Sequence, residues 1–423
     1  MMRLLKGRKC GIFIFIVLFG CLLYGCGKEN RDLENSVVQN SEEILRIEET
    51  KNEESDMQWE KGYDLLVDAE EEKQAETDCM EKMKLILDLY DNAEKGEAAN
   101  TVLDEETVLV MQNKIKKLGC PVTTMMAYSN MENYECMEKF LVECKANKSS
   151  SIVVYNVCKD GGLERMKFTF DGKDMYVLNT KGIWNTDNIP LVTYTSYNRI
   201  KEWSYTDKGW FCYELCVPEP PEVSEIVDGS CMLRVKPMSE DLREMSKKCV
   251  YGIGYQGNNL LTSNWDISHM KKLDYTGLYQ YLYEMEYQEK PDFETYQDGI
   301  PKEEFENLIQ KYLPVTAAQL RKYAVFDKET QTYEWARLGC GNAVLSYFGT
   351  SMPEVTDIQE NKDGTVTLTV DAVCDMVICE DAFITHELTV QFKEDGSFMY
   401  LGNQILDDGM MKIPEYQYRV SVE

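Results

Sequence analysis

Residues 363–374, DGTVTLTVDAVC, have the clearest secondary-structure pattern of the chain. Apolar and polar residues alternate there with a period of two, which is typical of a β-strand with one buried face. The Asp363-Gly364 pair in front of the strand is a turn signal. The stretch therefore predicts a strand of an antiparallel sheet, with one face formed by Val366, Leu368, Val370 and Ala372 and the other by Thr365, Thr367, Thr369 and Asp371.

The rest of this C-terminal region predicts two helices followed by strands. Pro301 suits the first turn of a helix over residues 302–312, and Thr316 with Gln319 has the spacing of a capping box for a second helix. Besides 364–374, the pattern predicts strands at 332–338, 384–393 and 397–406. This order resembles the nuclear-transport-factor-2-like or cystatin-like cone. Residues 301–423 are therefore expected to form an α+β module.

Helices also precede strands in residues 79–218. Helical periodicity predicts a helix from Met80 and two more over 105–118 and 131–146. Strands are predicted after them, some separated by turn signals such as Asp171-Gly172: 151–158, 163–170, 174–180, 191–197, 201–206 and 210–217. This order predicts a second α+β module, with its helices on one face of an antiparallel meander. Residues 219–300 are expected to be a partly helical connector.

An acidic segment precedes both modules. Residues 27–78 carry 18 acidic and 6 basic side chains. Such a segment cannot bury enough apolar surface to fold, so residues 26–78 are predicted to be a disordered, extended tether, with a frayed helix over residues 59–78 as an alternative for its later part. The whole chain has a formal net charge of −29, which repels nucleic acid and anionic lipid headgroups. No nucleic-acid partner is expected.

The first 26 residues, MMRLLKGRKCGIFIFIVLFGCLLYGC, have the order of a secretory signal. A basic start leads into an apolar run of about 13 residues, shorter than the roughly 20 that span a bilayer. The run ends at Leu23-Tyr24-Gly25-Cys26, which resembles the lipobox of bacterial lipoproteins, although Tyr24 is bulkier than usual. The resemblance implies that residues 1–25 are a signal peptide and that the Cys26 thiol carries a diacylglycerol. This lipid would anchor the chain at the outer face of the bacterial cytoplasmic membrane.

Two alternatives to this assignment stay open. Leu18 to Cys21 also fits a lipobox, but cleavage there would leave an apolar stub from Leu22 to Tyr24. The other alternative is an uncleaved N-terminal membrane helix, which the shortness of the apolar run disfavours.

Metal and cofactor sites find little support in the sequence. Twelve cysteines follow Cys26, but no Cys-x-x-Cys occurs, so neither a thioredoxin-like centre nor a zinc ribbon is indicated. Most of these cysteines lie among apolar residues and are expected to be free and buried. The chain has only two histidines, His269 and His386, and no glycine-rich nucleotide motif. We therefore expect no metal and no cofactor.

One catalytic pair can be named, Cys340 with His386. A thiol and an imidazole can act together in acyl transfer, which would make the protein an envelope thiol hydrolase. The competing interpretation is structural, because Gly-Cys-Gly is typical of a tight chain reversal and His386 shares a strand face with apolar residues. Ser268 and Lys271 match the Ser-x-x-Lys of penicillin-binding proteins, but the Lys-Thr-Gly element is missing. That match is attributed to chance.

The segments EWARLGCGN (334–342) and GTSMPEVT (349–356) resemble a family of uncharacterised lipoproteins from Gram-positive gut anaerobes. The resemblance covers the C-terminal third and implies a location without an activity. The sequence favours a non-catalytic lipoprotein that binds an unknown ligand or envelope protein on the concave sheet face of one or both modules. The thiol hydrolase and a purely structural surface protein are the alternatives.

Overall fold

The computed structural model describes residues 59–96, 100–292, 294–339, 351–374, 382–406, 413 and 415–420. All of these residues lie in one compact unit that spans residues 54–423. The signal peptide, the lipobox and the tether up to residue 58 lie outside the described residues, so these assignments stay predictions.

The N-terminal part is a seven-stranded sheet with helices packed on it. The helices are α1 (Ala69–Leu85), α2 (Leu87–Asn92), α3 (Glu105–Lys116) and α4 (Tyr134–Lys145). The strands are β1 (Val122–Thr124), β2 (Ser150–Val157), β3 (Leu163–Phe170), β4 (Met175–Trp184), β5 (Pro190–Tyr205), β6 (Trp210–Leu215) and β7 (Ser230–Arg234). They lie side by side in sequence order, and every pair except the parallel β1–β2 is antiparallel. The predicted α+β meander is confirmed.

Helix α1 begins inside the segment predicted to be a disordered tether. Asp68 caps it by accepting hydrogen bonds from the backbone N–H groups of Glu70 and Glu71. Its buried residues are Ala75, Cys79 and Met83, which recur at helical spacing. The prediction of disorder was wrong for residues 69–78 because the segment was judged by its net charge. Asp78 is half-buried and bonds to Arg165 and Tyr155 of the sheet, and the other acids of α1 are at least partly exposed.

Strand β5 is one strand of 16 residues where the sequence predicted two. Its pairing register shifts between Lys181 and Gly182 of β4 and again between Ile200 and Glu202. Such β-bulges bend a strand and let it continue past a break in the apolar alternation. The Asp171-Gly172 turn between β3 and β4 lies where it was predicted, with Gly172 at a φ of +106°.

Helices cover both faces of this sheet, not one face as expected. Val154 of β2 packs in the same core cluster as Phe140 of α4. Its neighbour Tyr155 packs with Met83 of α1 and Met111 of α3. Successive residues of a strand point to opposite faces, so the central strands are buried from both sides.

The C-terminal part is a five-stranded sheet, a small three-stranded sheet and several helices. The helices are α5 (Glu240–Met245), which continues into a π-helical turn (Ser246–Val250), α6 (Tyr275–Tyr287), α7 (Lys302–Tyr312) and α8 (Ala317–Tyr323). The strands are β8 (Trp265–Asp266), β9 (Ile300–Pro301), β10 (Phe326–Asp327), β11 (Thr332–Tyr333), β12 (Met352–Glu360), β13 (Val366–Val373), β14 (Thr385–Phe392) and β15 (Phe398–Ile405). The large sheet has the order β12-β13-β14-β15-β8 and is antiparallel throughout.

Most sequence predictions for this module are confirmed. The strand at 363–374 is β13, α7 and α8 are the two predicted helices, and Thr316 and Gln319 form the capping box. The predicted strand at 332–338 was wrong, because only β11 forms there, in the small sheet. The fourth long strand is β12, which the sequence did not predict and which begins at Met352.

Residues 219–300 divide between the two parts. Strand β7 extends the N-terminal sheet beside β6. Leu260, Trp265 and Tyr275 are buried in the core that α6 and α7 share with β13, β14 and β15. Strand β8 also completes the edge of the C-terminal sheet. The segment expected to be a connector therefore supplies elements to both sheets.

Ion pairs with buried carboxylates join the two sheets. Arg234 of β7 pairs with Glu354 of β12, and the exposed fractions of the two side chains are 8 % and 4 %. Beside this pair, Lys208 lies 2.5 Å from Asp371 of β13. Burial raises the pKa of Glu354, and the Arg234 guanidinium opposes that rise. The Arg234 guanidinium also lies 4.1 Å from the centre of the Trp210 ring.

This arrangement predicts a large difference between single and double substitutions. Glu354→Leu leaves Arg234 buried and unpaired, and we expect it to lower the free energy of unfolding by about 3–5 kcal/mol. The double variant Arg234→Met with Glu354→Leu removes both charges and is expected to recover most of that loss. Urea unfolding of the three proteins measures the difference.

The matched control is the exposed pair of Lys201 and Glu214 on the N-terminal sheet, whose atoms lie 2.9 Å apart. Glu214→Gln should change the free energy of unfolding by less than about 1 kcal/mol. A double variant no more stable than Glu354→Leu alone would show that the buried charges are not the cause.

Candidate functional site

A cleft of about 860 Å³ lies over the C-terminal sheet. Its floor includes Glu387 and Thr389 of β14, which alternate with the buried His386, Leu388 and Val390. The cleft is therefore on the face of the sheet opposite the apolar core that α6 and α7 cover.

The walls of the cleft come from segments distant in the sequence. One wall is the segment from Asn264 to His269, and the turn between β12 and β13 contributes Asp363. Gly402 of β15 allows the first wall to come close, because a Cβ at this position would lie 3.1 Å from the carbonyl oxygen of Trp265. The glycine thus permits β8 to pair with β15 and places Asp266 at the edge of the cleft.

The electrostatic character of the cleft is negative. Hydrogen bonds from the side chains of Ser268 and His269 lower the pKa of Asp266 to about 2. The hydroxyl and backbone N–H of Thr365 lower the pKa of Asp363. Both carboxylates are therefore ionised at neutral pH and lie in the same cleft as the carboxyl group of Glu387.

Ser268 and His269 do not form a catalytic triad with Asp266. The Ser268 hydroxyl donates to Asp266 Oδ1 over 2.6 Å and lies 3.1 Å from His269 Nδ1. The same Nδ1 lies 2.9 Å from Asp266 Oδ1. In a triad the acid and the nucleophile contact different ring nitrogens. Here both contact Nδ1, so the three side chains close a turn, and the match to Ser-x-x-Lys has no catalytic geometry.

His386 is a buried, fully hydrogen-bonded histidine. Its Nδ1 lies 2.6 Å from Asn403 Oδ1, and its Nε2 lies 3.0 Å from the Tyr255 hydroxyl. Asn403 donates through Nδ2 to the carbonyl oxygens of Leu261 and Ser263, so its Oδ1 is the acceptor. Consequently Nδ1 of His386 carries the proton, and Nε2 accepts from Tyr255. Burial lowers the pKa of His386 to about 4, so the ring is neutral.

Of the predicted Cys340–His386 pair, the structure describes only His386. Cys340 lies outside the described residues, so its distance from His386 is not measured. To act as a base toward Cys340, His386 would have to give up its bond with Tyr255, since Nδ1 carries the proton. Among the described cysteines, Cys79, Cys144 and Cys249 are buried free thiols, in agreement with the expectation for them.

The sequence did not indicate the three carboxylates of the cleft as a group. Asp363 was recognised as a turn residue, whereas Asp266 and Glu387 are two of 74 acidic residues without a distinguishing pattern. In the described part of the chain, no group of three or more histidine, cysteine or acidic side chains is arranged to hold a metal ion. The same residues include no helix with the length and apolar character needed to cross a bilayer.

The comparison with known families gives one match. A model described as "Family of unknown function (DUF6070)" matches residues 72–419, which include both sheets and the cleft. No curated protein and no solved structure matches the chain. The resemblance to nuclear-transport-factor-2-like or cystatin-like cones therefore stays a prediction.

His386 predicts a specific pH dependence of stability. An unfolded histidine has a pKa of about 6.5, and the folded pKa of His386 is about 4. As the pH falls through this window, the unfolded chain binds a proton that the folded chain does not. The free energy of unfolding should therefore be fully retained above about pH 6.5 and fall by on the order of 3 kcal/mol toward pH 4.

The measurement is urea unfolding at about pH 7.5 and about pH 4.5. His386→Gln lacks a titrating ring and should lose less stability between these pH values than the unsubstituted protein. His269→Gln removes the exposed histidine and serves as the matched control, which should keep the loss of stability that His386 causes toward pH 4.5. An equal loss in His386→Gln and the unsubstituted protein would contradict the assignment.

Proposed function

The chain belongs to the DUF6070 family of unknown function, and we propose that it is a lipid-anchored protein of the bacterial cell envelope that binds a cationic ligand without converting it. The proposal has two parts. Cys26 attaches the chain to the outer face of the cytoplasmic membrane, and the cleft over the C-terminal sheet holds the ligand.

The anchor is supported by the sequence at the N-terminus. Leu23, Gly25 and Cys26 match the lipobox, and the apolar run before them is too short for a comfortable membrane span. A net charge of −29 opposes attachment through anionic headgroups, so the lipid has to provide the attachment. A diacylglyceryl group supplies two chains, and two chains are enough for stable anchoring.

The observation that carries the binding role is the convergence of three carboxyl groups in the cleft. Asp266, Asp363 and Glu387 come from three different strands or turns, and Lys272 is the only lysine or arginine among the residues that line this described cleft. Hydrogen bonds within their own turns keep Asp266 and Asp363 ionised. An amine or guanidinium group is the natural complement of such a surface.

The overall charge of the protein supports the same class of ligand. A strongly negative chain attracts cations over long distances and concentrates them near negative clefts. The remaining lining includes side chains that donate or accept hydrogen bonds, among them Thr365, Thr389 and Gln404. A peptide with lysine or arginine side chains offers both charge and backbone hydrogen-bonding groups, so we favour a basic peptide segment as the ligand.

A binding role without catalysis is supported by the hydrogen bonds of the two histidines. His269 and Ser268 share Asp266 at a single ring nitrogen, which is not the geometry of an activated nucleophile. His386 is buried beneath the sheet with both ring nitrogens bonded. Neither histidine is poised to act as a general base in the cleft.

Binding of a lysine pentapeptide to Glu387→Gln tests the ligand class. Removing one charge from a partly exposed pair should cost about 1 kcal/mol, a roughly fivefold increase in Kd. Isothermal titration calorimetry of the protein lacking residues 1–25 measures this, and the affinity should also fall with added salt. Glu202→Gln, an exposed acid on the N-terminal sheet, is the matched control and should bind like the unsubstituted protein.

If the unsubstituted protein does not bind the lysine peptide, the cationic-ligand proposal fails and a purely structural role becomes the better hypothesis. If Glu387→Gln and Glu202→Gln weaken binding equally, the attraction is due to overall charge and the cleft is not the site.

The anchor has its own test in a bacterial host that processes lipoproteins. Cys26→Ala should abolish lipid attachment and leave the chain without a mass increase for diacylglycerol, because the alanine has no thiol to modify. Cys21→Ala is the matched control, since it removes the second lipobox candidate and should leave anchoring intact. Intact mass of membrane-extracted protein distinguishes the two. Anchoring lost in Cys21→Ala and kept in Cys26→Ala would move the site to Cys21.

A further inference from the structure

Cys158 and Lys181 lie together on the face of the N-terminal sheet that α4 covers. Lys181 of β4 is the register partner of Glu164 of β3, and Glu164 is also the partner of Asn156 of β2. Cys158 follows β2 two residues after Asn156, on the same face as Val154. The thiol and the amine therefore approach each other across β3. Cys158 has only 3 % of its surface exposed.

The separation between the two side chains is unusually short. Lys181 Nζ lies 2.6 Å from Cys158 Sγ. Elsewhere in the described chain, Cys79 Sγ lies 3.6 and 3.8 Å from its two carbonyl acceptors, and Cys231 Sγ lies 3.7 Å from the Gly229 carbonyl oxygen. The Lys181–Cys158 distance is about 1 Å shorter than these ordinary sulfur hydrogen bonds.

The distance is also too long for a direct bond between the two atoms. A disulfide bond, between two sulfur atoms, is about 2.05 Å long. A sulfur–nitrogen single bond is shorter still, since nitrogen is the smaller atom. A separation of 2.6 Å lies between a direct bond and a hydrogen bond, which is where two atoms lie when one small atom links them.

The backbone holds both residues in place. The N–H of Cys158 donates to the Gly162 carbonyl oxygen, and the Cys158 carbonyl oxygen accepts from the N–H of Gly161. Gly161 takes a φ of +76°, which a residue with a side chain adopts only at a cost, so the turn after Cys158 depends on it. Lys181 of β4 lies beside a β-bulge of β5, in which Thr193 is the extra residue between the pairs Lys181–Tyr194 and Gly182–Val192. Lys181 itself pairs with Glu164 of β3 on one side and with Tyr194 of β5 on the other, so its position in the sheet is fixed.

We propose that Cys158 and Lys181 form a covalent bridge through a single oxygen atom, Sγ–O–Nζ, with dioxygen as the oxidant. The reaction is R–SH + R′–NH2 + O2 → R–S–O–NH–R′ + H2O. The S–H bond, one N–H bond and the O–O bond break, S–O and O–N bonds form, and the second oxygen atom leaves as water with the two hydrogens. Dioxygen accepts four electrons, and the thiol and amine supply them.

The bridge is a reversible covalent cross-link within the sheet. It links the end of β2 to β4 across β3 and closes the chain between residues 158 and 181. Two molecules of a dithiol reductant together return four electrons and four protons and become two cyclic disulfides, which regenerates the thiol and the amine and releases water. The oxidised chain has fewer conformations available when unfolded, so it should unfold at a higher temperature than the reduced chain.

Intact mass of the full chain gives the direct test. Protein purified in air should contain a species heavier by about 14 Da, from one oxygen gained and two hydrogens lost, and dithiothreitol should remove that increase. Tryptic digestion should give a linked pair of peptides containing Cys158 and Lys181, with no cleavage after Lys181. Protein prepared and kept without oxygen should lack the linked pair.

Two variants and one control complete the test. Cys158→Ser and Lys181→Gln should each lose the increase of about 14 Da, whereas Cys249→Ser, which removes another buried thiol, should keep it. The proposal is overturned if air-exposed protein shows no linked peptide pair, or if Cys158 carries only sulfenic or sulfinic oxygen while Lys181 remains a site of tryptic cleavage. These readouts are made on the folded, unsubstituted protein, so a variant that fails to fold does not affect the conclusion.

Discussion

The ion pair of Arg234 and Glu354 is the contact on which the arrangement of the two sheets depends. Glu354 exposes 3 % of its surface and Arg234 8 %, so each charge relies on the other for its solvation. The pair of Lys208 and Asp371 repeats this constraint on the neighbouring strand β13. Sliding one sheet past the other would leave a buried charge unpaired, at a cost of several kcal/mol. The apolar contacts at the same junction, such as Trp210 with Val373, are non-directional, so they do not fix the position of one sheet relative to the other.

The same strand connects this junction with the cleft. β13 has Asp371 at its C-terminal end, against the N-terminal sheet, and follows the turn with Asp363 at the rim of the cleft. Beneath the cleft, Asn403 bonds both to His386 and to the carbonyl oxygens of Leu261 and Ser263. This network holds the segment that leads into β8, and β8 brings Asp266 to the cleft. Both histidines therefore have structural roles. His386 is buried and neutral under the floor of the cleft, and His269 closes a turn in the wall of the cleft.

The N-terminal sheet has chemistry of a different kind. The close approach of Cys158 and Lys181 occurs on the face of this sheet that α4 covers, away from the cleft. The bridge and the ligand site involve no common residue, so each can form without the other. With both proposals taken together, the N-terminal sheet is cross-linked and the C-terminal sheet presents a negatively charged cleft. The lipid proposed on Cys26 would hold both at the membrane.

The sequence by itself determined the local features of this protein. β13, the turns at Asp171-Gly172 and Asp363-Gly364, the capping box of Thr316 and the α+β class were all predictable, because each depends on residues close together in the chain. Tertiary structure alone decided which charges are buried together, that α1 packs although its segment is acidic, and that Asp266, Asp363 and Glu387 share a cleft. It also decided the approach of Lys181 to Cys158. These features depend on the register of strands and on which face of an element is covered, and a single sequence carries no periodic signal for either.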